Sequence, residues 1–180
     1  MARFARQRLL PAALSWPLCG LTKMKTRHKD DGTTIHDFTG RFLVRCPRCK
    51  ACANVIRSDW NPKIHPWTAK FSCGNCGRTE QGTLGGWSDR EPVDWVFGYD
   101  LWLQTACCGK TLWACNYKHL SFLESYVSAE HRVGLTDEKA TEKGVLNSTL
   151  ASSLPSWMIS SKNRGDVLKS IQKIRAANAT

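Results

Sequence analysis

Short apolar runs bracketed by polar and turn-forming residues mark the middle of the chain. Arg41-Phe42-Leu43-Val44-Arg45, Ala53-Asn54-Val55-Ile56-Arg57 and Ala69-Lys70-Phe71-Ser72 have the length and the aromatic and β-branched content of short strands. Between the last two lies Asp59 to Trp67, whose prolines and aromatics predict an ordered surface loop. Gln81-Gly82-Thr83-Leu84-Gly85-Gly86 predicts a flexible join, which places a boundary near residue 86. Beyond it, Tyr99 to Thr105 and Thr111 to Cys115 form two more strand-like runs, expected to pair as a hairpin spanning 99–115. The period then becomes helical. Asn116 is the expected N-cap of a helix over 117–131, with Leu120, Leu123 and Val127, widened by Phe122 and Tyr126, on one apolar face. Residues 134–150 predict a mobile connection. Helices follow over 154–176: a short one at Leu154 to Ile159, then one that starts at Asn163, with Asp166 in a capping-box-like position, and turns Val167, Leu168, Ile171 and Ile174 inward. Lys162, Lys169 and Lys173 fall within about 40° of one another on its other side, the usual solvated face.

The cysteines add chemistry to this α+β pattern. Cys46-Pro47-Arg48-Cys49 is followed after 23 residues by Cys73-Gly74-Asn75-Cys76-Gly77. In a Cys-x-x-Cys turn both sulfurs can converge on one ion at about 2.3 Å, and Zn²⁺ takes four thiolates in a closed structural site. The expected metal ligands are therefore Cys46, Cys49, Cys73 and Cys76, set on the turns between strands as a four-cysteine zinc ribbon over residues 36–86. Gly74 and Gly77 are expected to relieve the second turn where φ is positive. Cys52 is expected to be a small half-buried residue at the start of the next strand. A thioredoxin-like dithiol fits less well, because it uses a single pair at a helix start.

Nine cysteines cannot all pair with one another, and two of their pairs have metal spacing, so a reducing compartment, the cytoplasm, is expected. The longest mostly apolar stretch, Leu9 to Leu21, is 13 residues interrupted by Pro11 and Pro17, short of the roughly 20 needed to span a bilayer. No membrane association is expected.

The net charge of +11 is unevenly spread. Residues 1–29 hold +7 with no acid, and residues 40–80 hold +6. Residues 1–35 are expected to be a disordered or over-extended N-terminal segment, with Met24 as an alternative start; a processed targeting segment or a basic arm are the competing readings. Four thiolates and one Zn²⁺ carry a formal −2, so the excess of residues 40–80 falls to about +4 when metal binds. Arg45, Arg48, Lys50, Arg57, Lys63, Lys70 and Arg78, interleaved with Trp60 and Trp67, are candidates to grip a DNA or RNA backbone and stack on bases. Solubility alone is the bland reading of the same charges, and contact with a protein partner is a third.

Enzyme signatures are weak. Gly109-Lys110-Thr111 resembles a P-loop ending, but Gln104 stands where its first glycine belongs. Cys115 and His119, four apart, with Cys107 and Cys108, offer a nucleophile and base or a second metal site, yet adjacent cysteines on a strand point to opposite faces. No small-molecule substrate is evident.

Read in order, Cys46-Pro47-Arg48-Cys49, Cys73-Gly74-Asn75-Cys76-Gly77, Phe97-Gly98-Tyr99-Asp100-Leu101-Trp102-Leu103, Leu112-Trp113-Ala114, Asn116, His119-Leu120, Leu154-Pro155-Ser156-Trp157 and Lys162-Asn163-Arg164 resemble a family of small bacterial zinc-ribbon proteins from about His36 to Ala176. The cysteine pairs themselves resemble zinc ribbons of the general-transcription-factor-IIB type. The resemblance implies zinc binding and assigns no catalytic residues. In that family an aromatic residue is more usual where Cys115 stands, which lowers the case for Cys115 as a ligand.

The expectation is thus an α+β protein: an N-terminal four-cysteine zinc ribbon, then a small α+β domain over 87–180 made of a hairpin and two or three helices. Its expected function is structural zinc binding, nucleic-acid-associated and not enzymatic. The alternatives are a protein-protein adaptor docking on Trp60, Trp67 and Trp102, or an enzyme built on Cys107, Cys108, Cys115 and His119.

Overall fold

The computed structural model describes residues 27–58, 66–84, 92–134 and 149–178. Its centre is a four-stranded antiparallel sheet in chain order, β2 (Arg41–Arg45), β3 (Cys52–Arg57), β4 (Thr68–Ser72) and β5 (Thr79–Thr83). Strand alternation sets its faces. Phe42, Val44, Val55 and Phe71 turn to one side and are fully buried with Trp95 and Leu101, while their neighbours Ile56, Lys70 and Gln81 share the other side.

β5 departs from the expected flexible join at Gln81 to Gly86. Its sequence, Thr-Glu-Gln-Gly-Thr, lacks the apolar alternation of a strand, yet it pairs with β4 from Thr68↔Thr83 to Ser72↔Thr79. Gly82 serves packing here, because a Cβ would come within 2.7 Å of the Phe97 ring. Gly85 and Gly86, and with them the boundary near 86, lie outside the described residues.

Phe97 belongs to a turn organised by Asp94. This carboxylate, 1% exposed, accepts backbone N–H bonds from Val96, Phe97 and Tyr99 at 2.9, 2.8 and 2.6 Å. Burial pushes its pKa up, against the pull of those three donors. The turn presses Trp95, Phe97 and Tyr99 onto the sheet, with Tyr99 edge-on to Phe71 at 5.3 Å.

β6 (Leu103–Cys107) and β7 (Lys110–Ala114) pair as the expected hairpin. Its base joins the sheet: the Leu43 N–H donates to the Cys115 carbonyl at 2.8 Å, the Trp102 N–H to the Leu43 carbonyl at 2.8 Å, and the Arg45 N–H to the Asp100 carbonyl at 2.7 Å. β2 is therefore paired along both edges, and its centre, Phe42 to Val44, is buried on both faces. Leu43 points into a second apolar cluster with Leu103, Leu112, Leu120, Leu123 and Val167, which explains its uninterrupted Phe-Leu-Val run.

Asn116 caps α1 (Tyr117–Ser128): its side-chain oxygen accepts from the Lys118 and His119 N–H groups, and its amide donates to the carbonyls of Phe38 and Arg41. Leu120, Leu123 and Val127 are buried on the predicted face. The helix stops at Ser128, short of the expected 131. Ala129 turns extended and is 1% exposed, its carbonyl accepting from Arg164, and His131–Val133 becomes β8. β8 pairs in parallel with β1 (Arg27–Lys29), and Asp30, 6% exposed, accepts from the Thr149 hydroxyl at 2.7 Å. Residues 27–35, grouped in sequence with a disordered or over-extended start, are thus packed into the fold by pairings that lie about a hundred residues away along the chain.

Three helices close the chain, α2 (Leu150–Ser153), α3 (Ser156–Ile159) and α4 (Arg164–Ala177). Of the expected mobile connection over 134–150, residues 135–148 lie outside the described residues, and Thr149 caps α2. On α4, Val167, Ile171 and Ile174 are buried and Lys169 and Lys173 exposed, as the period implies, with Lys162 exposed in the turn before it. The capping box at Asn163 does not form: its backbone is already helical, φ −94° and ψ −6°, and its amide donates to the Trp157 carbonyl at 2.8 Å. Among the described residues no helix is long and apolar enough to cross a membrane.

Candidate metal centre

The two Cys-x-x-Cys turns join β2 to β3 and β4 to β5, at the same end of the sheet, and repeat one backbone design. The Cys46 N–H donates to the Ala51 carbonyl and the Lys50 N–H to the Cys46 carbonyl; in the second turn the Cys73 N–H donates to the Arg78 carbonyl and the Gly77 N–H to the Cys73 carbonyl. The offsets are identical. The fourth residue after each first cysteine is left-handed, Lys50 at φ 62° and Gly77 at φ 71°. Gly74 needs no positive φ, so only one of the two glycines plays the expected role, and in the first turn Lys50 carries the same conformation. That equivalence was legible in the equal spacing, but lysine disguises it. A Gly77→Ala variant meets no steric neighbour within 4 Å, so its cost is the left-handed backbone alone. Its metal-loaded form is expected to lose about 1 kcal/mol in denaturant titration.

These turns bring the sulfurs of Cys46, Cys49, Cys73 and Cys76 within 4.8 Å of one another. The Cys46–Cys76 and Cys49–Cys73 Sγ separations are 3.8 and 3.5 Å. A tetrahedron with bonds of about 2.3 Å has edges of about 3.8 Å, so the donor set fits one Zn²⁺-sized, thiolate-loving ion. Cys46 and Cys73 are buried, and Cys49 and Cys76 are half-buried.

Backbone donors converge on the sulfurs. Burial raises the Cys46 thiol, but the N–H groups of Cys49 and Arg48 hold it below its ordinary value. The Asn75 side chain, with the Ala51 N–H, brings Cys49 down to about 6. Cys76 stands at about 11: the Arg78 N–H lowers it, and desolvation and the other three thiols outweigh that pull. Four thiolates this close repel each other, so the set ionises fully only around a cation. Metal binding must release protons and weaken as pH falls.

The neighbouring charges are placed differently from the sequence expectation. Arg78 is paired with Glu80, which also accepts from the Tyr99 hydroxyl at 2.7 Å. Arg57 is buried, with its guanidinium 3.6 Å from the centre of the Trp67 ring. Trp67, expected to be an exposed docking aromatic, is 3% exposed and stacks on Trp95 at 5.9 Å, because the strand that begins at Thr68 draws it into the core. Trp102 is half-buried under Arg45. Trp60 and Lys63 lie outside the described residues. Cys52 begins β3 as expected but is exposed, not half-buried, since it opposes Arg45 on the open side of the sheet.

The second cysteine group does not assemble as a unit. Among the described residues, Cys46, Cys49, Cys73 and Cys76 form the sole set of three or more metal-binding side chains close enough to share an ion. Cys115 is buried, its thiol pushed up to about 12, and its N–H donates to His119 Nδ1 at 3.2 Å. His119 is itself buried, stacked on Phe38 at 5.0 Å, and burial lowers its pKa to about 4. The imidazole is neutral, with Nδ1 as acceptor. Cys107 and Cys108 sit at the opposite end of the hairpin, beside the Cys107↔Lys110 pair. No protein-family model, curated protein or solved structure matches the chain.

Proposed function

We propose that Cys46, Cys49, Cys73 and Cys76 hold one structural Zn²⁺, and that residues 36–86 are a zinc ribbon of the general-transcription-factor-IIB type in a non-enzymatic, nucleic-acid-associated protein. The observation that carries the metal reading is the convergence of four sulfurs from two equivalent turns. Metal binding would add folding free energy to that of the apolar cluster on the sheet. The free thiols of the cysteine set accord with a reducing compartment, the cytoplasm.

The nucleic-acid reading rests on the sheet face opposite Phe42, open except where Leu43 enters the second apolar cluster. Arg41 and Arg45 on β2 and Lys70 on β4 share that side with Asn54, Gln81, Thr68 and Thr79, and among the described strand residues no carboxylate shares it, because Glu80 faces the core. Arg48 and Lys50 continue the charge onto the first cysteine turn, both exposed. Phosphate contacts release counterions, so each contacted phosphate of a single strand steepens log affinity against log salt by about 0.7. Lys70→Glu is expected to weaken binding of a mixed-sequence oligonucleotide at least tenfold and to flatten that slope. A salt-independent affinity, or one unmoved by Lys70→Glu, contradicts the reading.

One observation favours the adaptor alternative: Ile56, 47% exposed, sits at the centre of the same open side. A protein partner recovered equally well after nuclease treatment, and lost with Ile56→Asp, selects it.

A further inference from the structure

The tip of the β6–β7 hairpin carries a thiol pair that the proposed function does not use. Cys107 is the last residue of β6, and Cys108 opens the two-residue loop to β7. On a regular strand these neighbours would point to opposite faces. Here Cys108 has φ 52° and Gly109 φ 70°, the left-handed pair of a tight hairpin turn, and this swings the Cys108 side chain back beside that of Cys107. The two Sγ atoms lie 3.7 Å apart. The first position of such a loop favours asparagine, aspartate or glycine, and a cysteine there costs about 1 kcal/mol of backbone energy. Cys107 is buried and Cys108 exposed, so the pair has a shielded sulfur and an accessible one.

Two thiols so placed can bond to each other or share a third atom. Adjacent Cα atoms are 3.80 Å apart, inside the roughly 4.4 Å at which relaxed disulfides begin, so direct closure is strained. A single centre bonded to both sulfurs at thiolate–metal lengths of about 2.3 Å and a near-tetrahedral angle spans about 3.8 Å between them, which the pair already offers. We propose that Cys107 and Cys108 form a vicinal dithiol site that captures one thiophilic centre of the trivalent-arsenical class, with both sulfurs on one arsenic atom.

The exchange balances without an oxidant. An organoarsenous oxide loses its oxygen, each thiol loses its proton, two arsenic–sulfur bonds form, and the oxide leaves with both protons as water. Arsenic stays trivalent. Desolvation, the Cys107 thiol and the Asp166 carboxylate all raise the Cys108 pKa. The proton held at Cys108 is one of the two that leave with the oxide as water. The site is separate from the four-cysteine centre and stands whether or not the nucleic-acid reading does.

The test adds phenylarsine oxide to the zinc-loaded full chain under excess glutathione, with intact mass and zinc release read together. One arsenical per chain is expected, retained against the monothiol, removed by 2,3-dimercaptopropanol, and accompanied by no zinc release. Cys108→Ser, at an exposed turn, should cut retention at least tenfold, as should Cys107→Ser, while Cys115→Ser and Cys52→Ser keep it. Undiminished retention in Cys108→Ser, free exchange with glutathione in the parent chain, or zinc release that matches arsenical uptake would each overturn the proposal.

Discussion

Cys73→Ser is expected to abolish zinc binding and to melt the four-stranded sheet, the largest effect any single substitution should have. Cys73 is buried, at the hinge of the second turn, and its sulfur lies 3.5 Å from that of Cys49. Structural zinc contributes on the order of 10 kcal/mol of apparent binding free energy in small four-ligand domains, comparable to the whole stability of a domain this size. A strong chelator should do the same to the parent chain, with loss of amide protection across β2 to β5. Cys52→Ser, three residues past Cys49 but exposed as the first residue of β3, should bind metal normally. One zinc per chain in Cys73→Ser, or none in the parent, would sink the metal assignment.

Acid should weaken the protein through His119 as well as through the thiols. Its pKa is about 4 when folded, against about 6.5 unfolded, so between those values the unfolded chain holds the extra proton. The neutral histidine costs nothing above pH 6.5; stability is then lost as pH falls through that window, about 2 kcal/mol between pH 7 and 5 and roughly 3 kcal/mol by pH 4. Zinc loss acts over an overlapping range. The two separate in His119→Gln, which retains an acceptor for the Cys115 N–H. In saturating zinc its denaturation midpoint should change less between pH 7 and 5 than the parent's, by an amount equivalent to about 2 kcal/mol. Parallel pH profiles would place the acid sensitivity elsewhere.

The parts of this architecture that sequence made legible are those set by local chemistry. The cysteine spacing pointed to the convergent thiols, the apolar runs to β2, β3, β4 and the hairpin, and Asn116 to the start of α1. What sequence concealed depends on distant partners. The strand β5 is polar and exists because β4 offers it a ladder and Phe97 needs the space at Gly82. β1 is three residues, Arg-His-Lys, held by a strand a hundred residues later. Trp67 looked like a surface aromatic from its proline neighbour, but Arg57 and Trp95 enclose it. The thiols of Cys107 and Cys108 converge because of one dihedral angle, which strand periodicity alone would assign to the opposite outcome.

Leu43 gives the two apolar clusters a common wall, since the residues on either side of it, Phe42 and Val44, belong to the cluster of the four-cysteine sheet while Leu43 itself belongs to that of the hairpin and helices. A fragment excised at residues 36–86 would therefore carry a bare leucine and, along β2, the backbone groups that Asp100, Trp102 and Cys115 otherwise engage. An open apolar strand edge of that kind recruits other chains. The separated piece would meet its aggregation hazard even with zinc in place, and the practical unit for expression is the chain from β1 through α4.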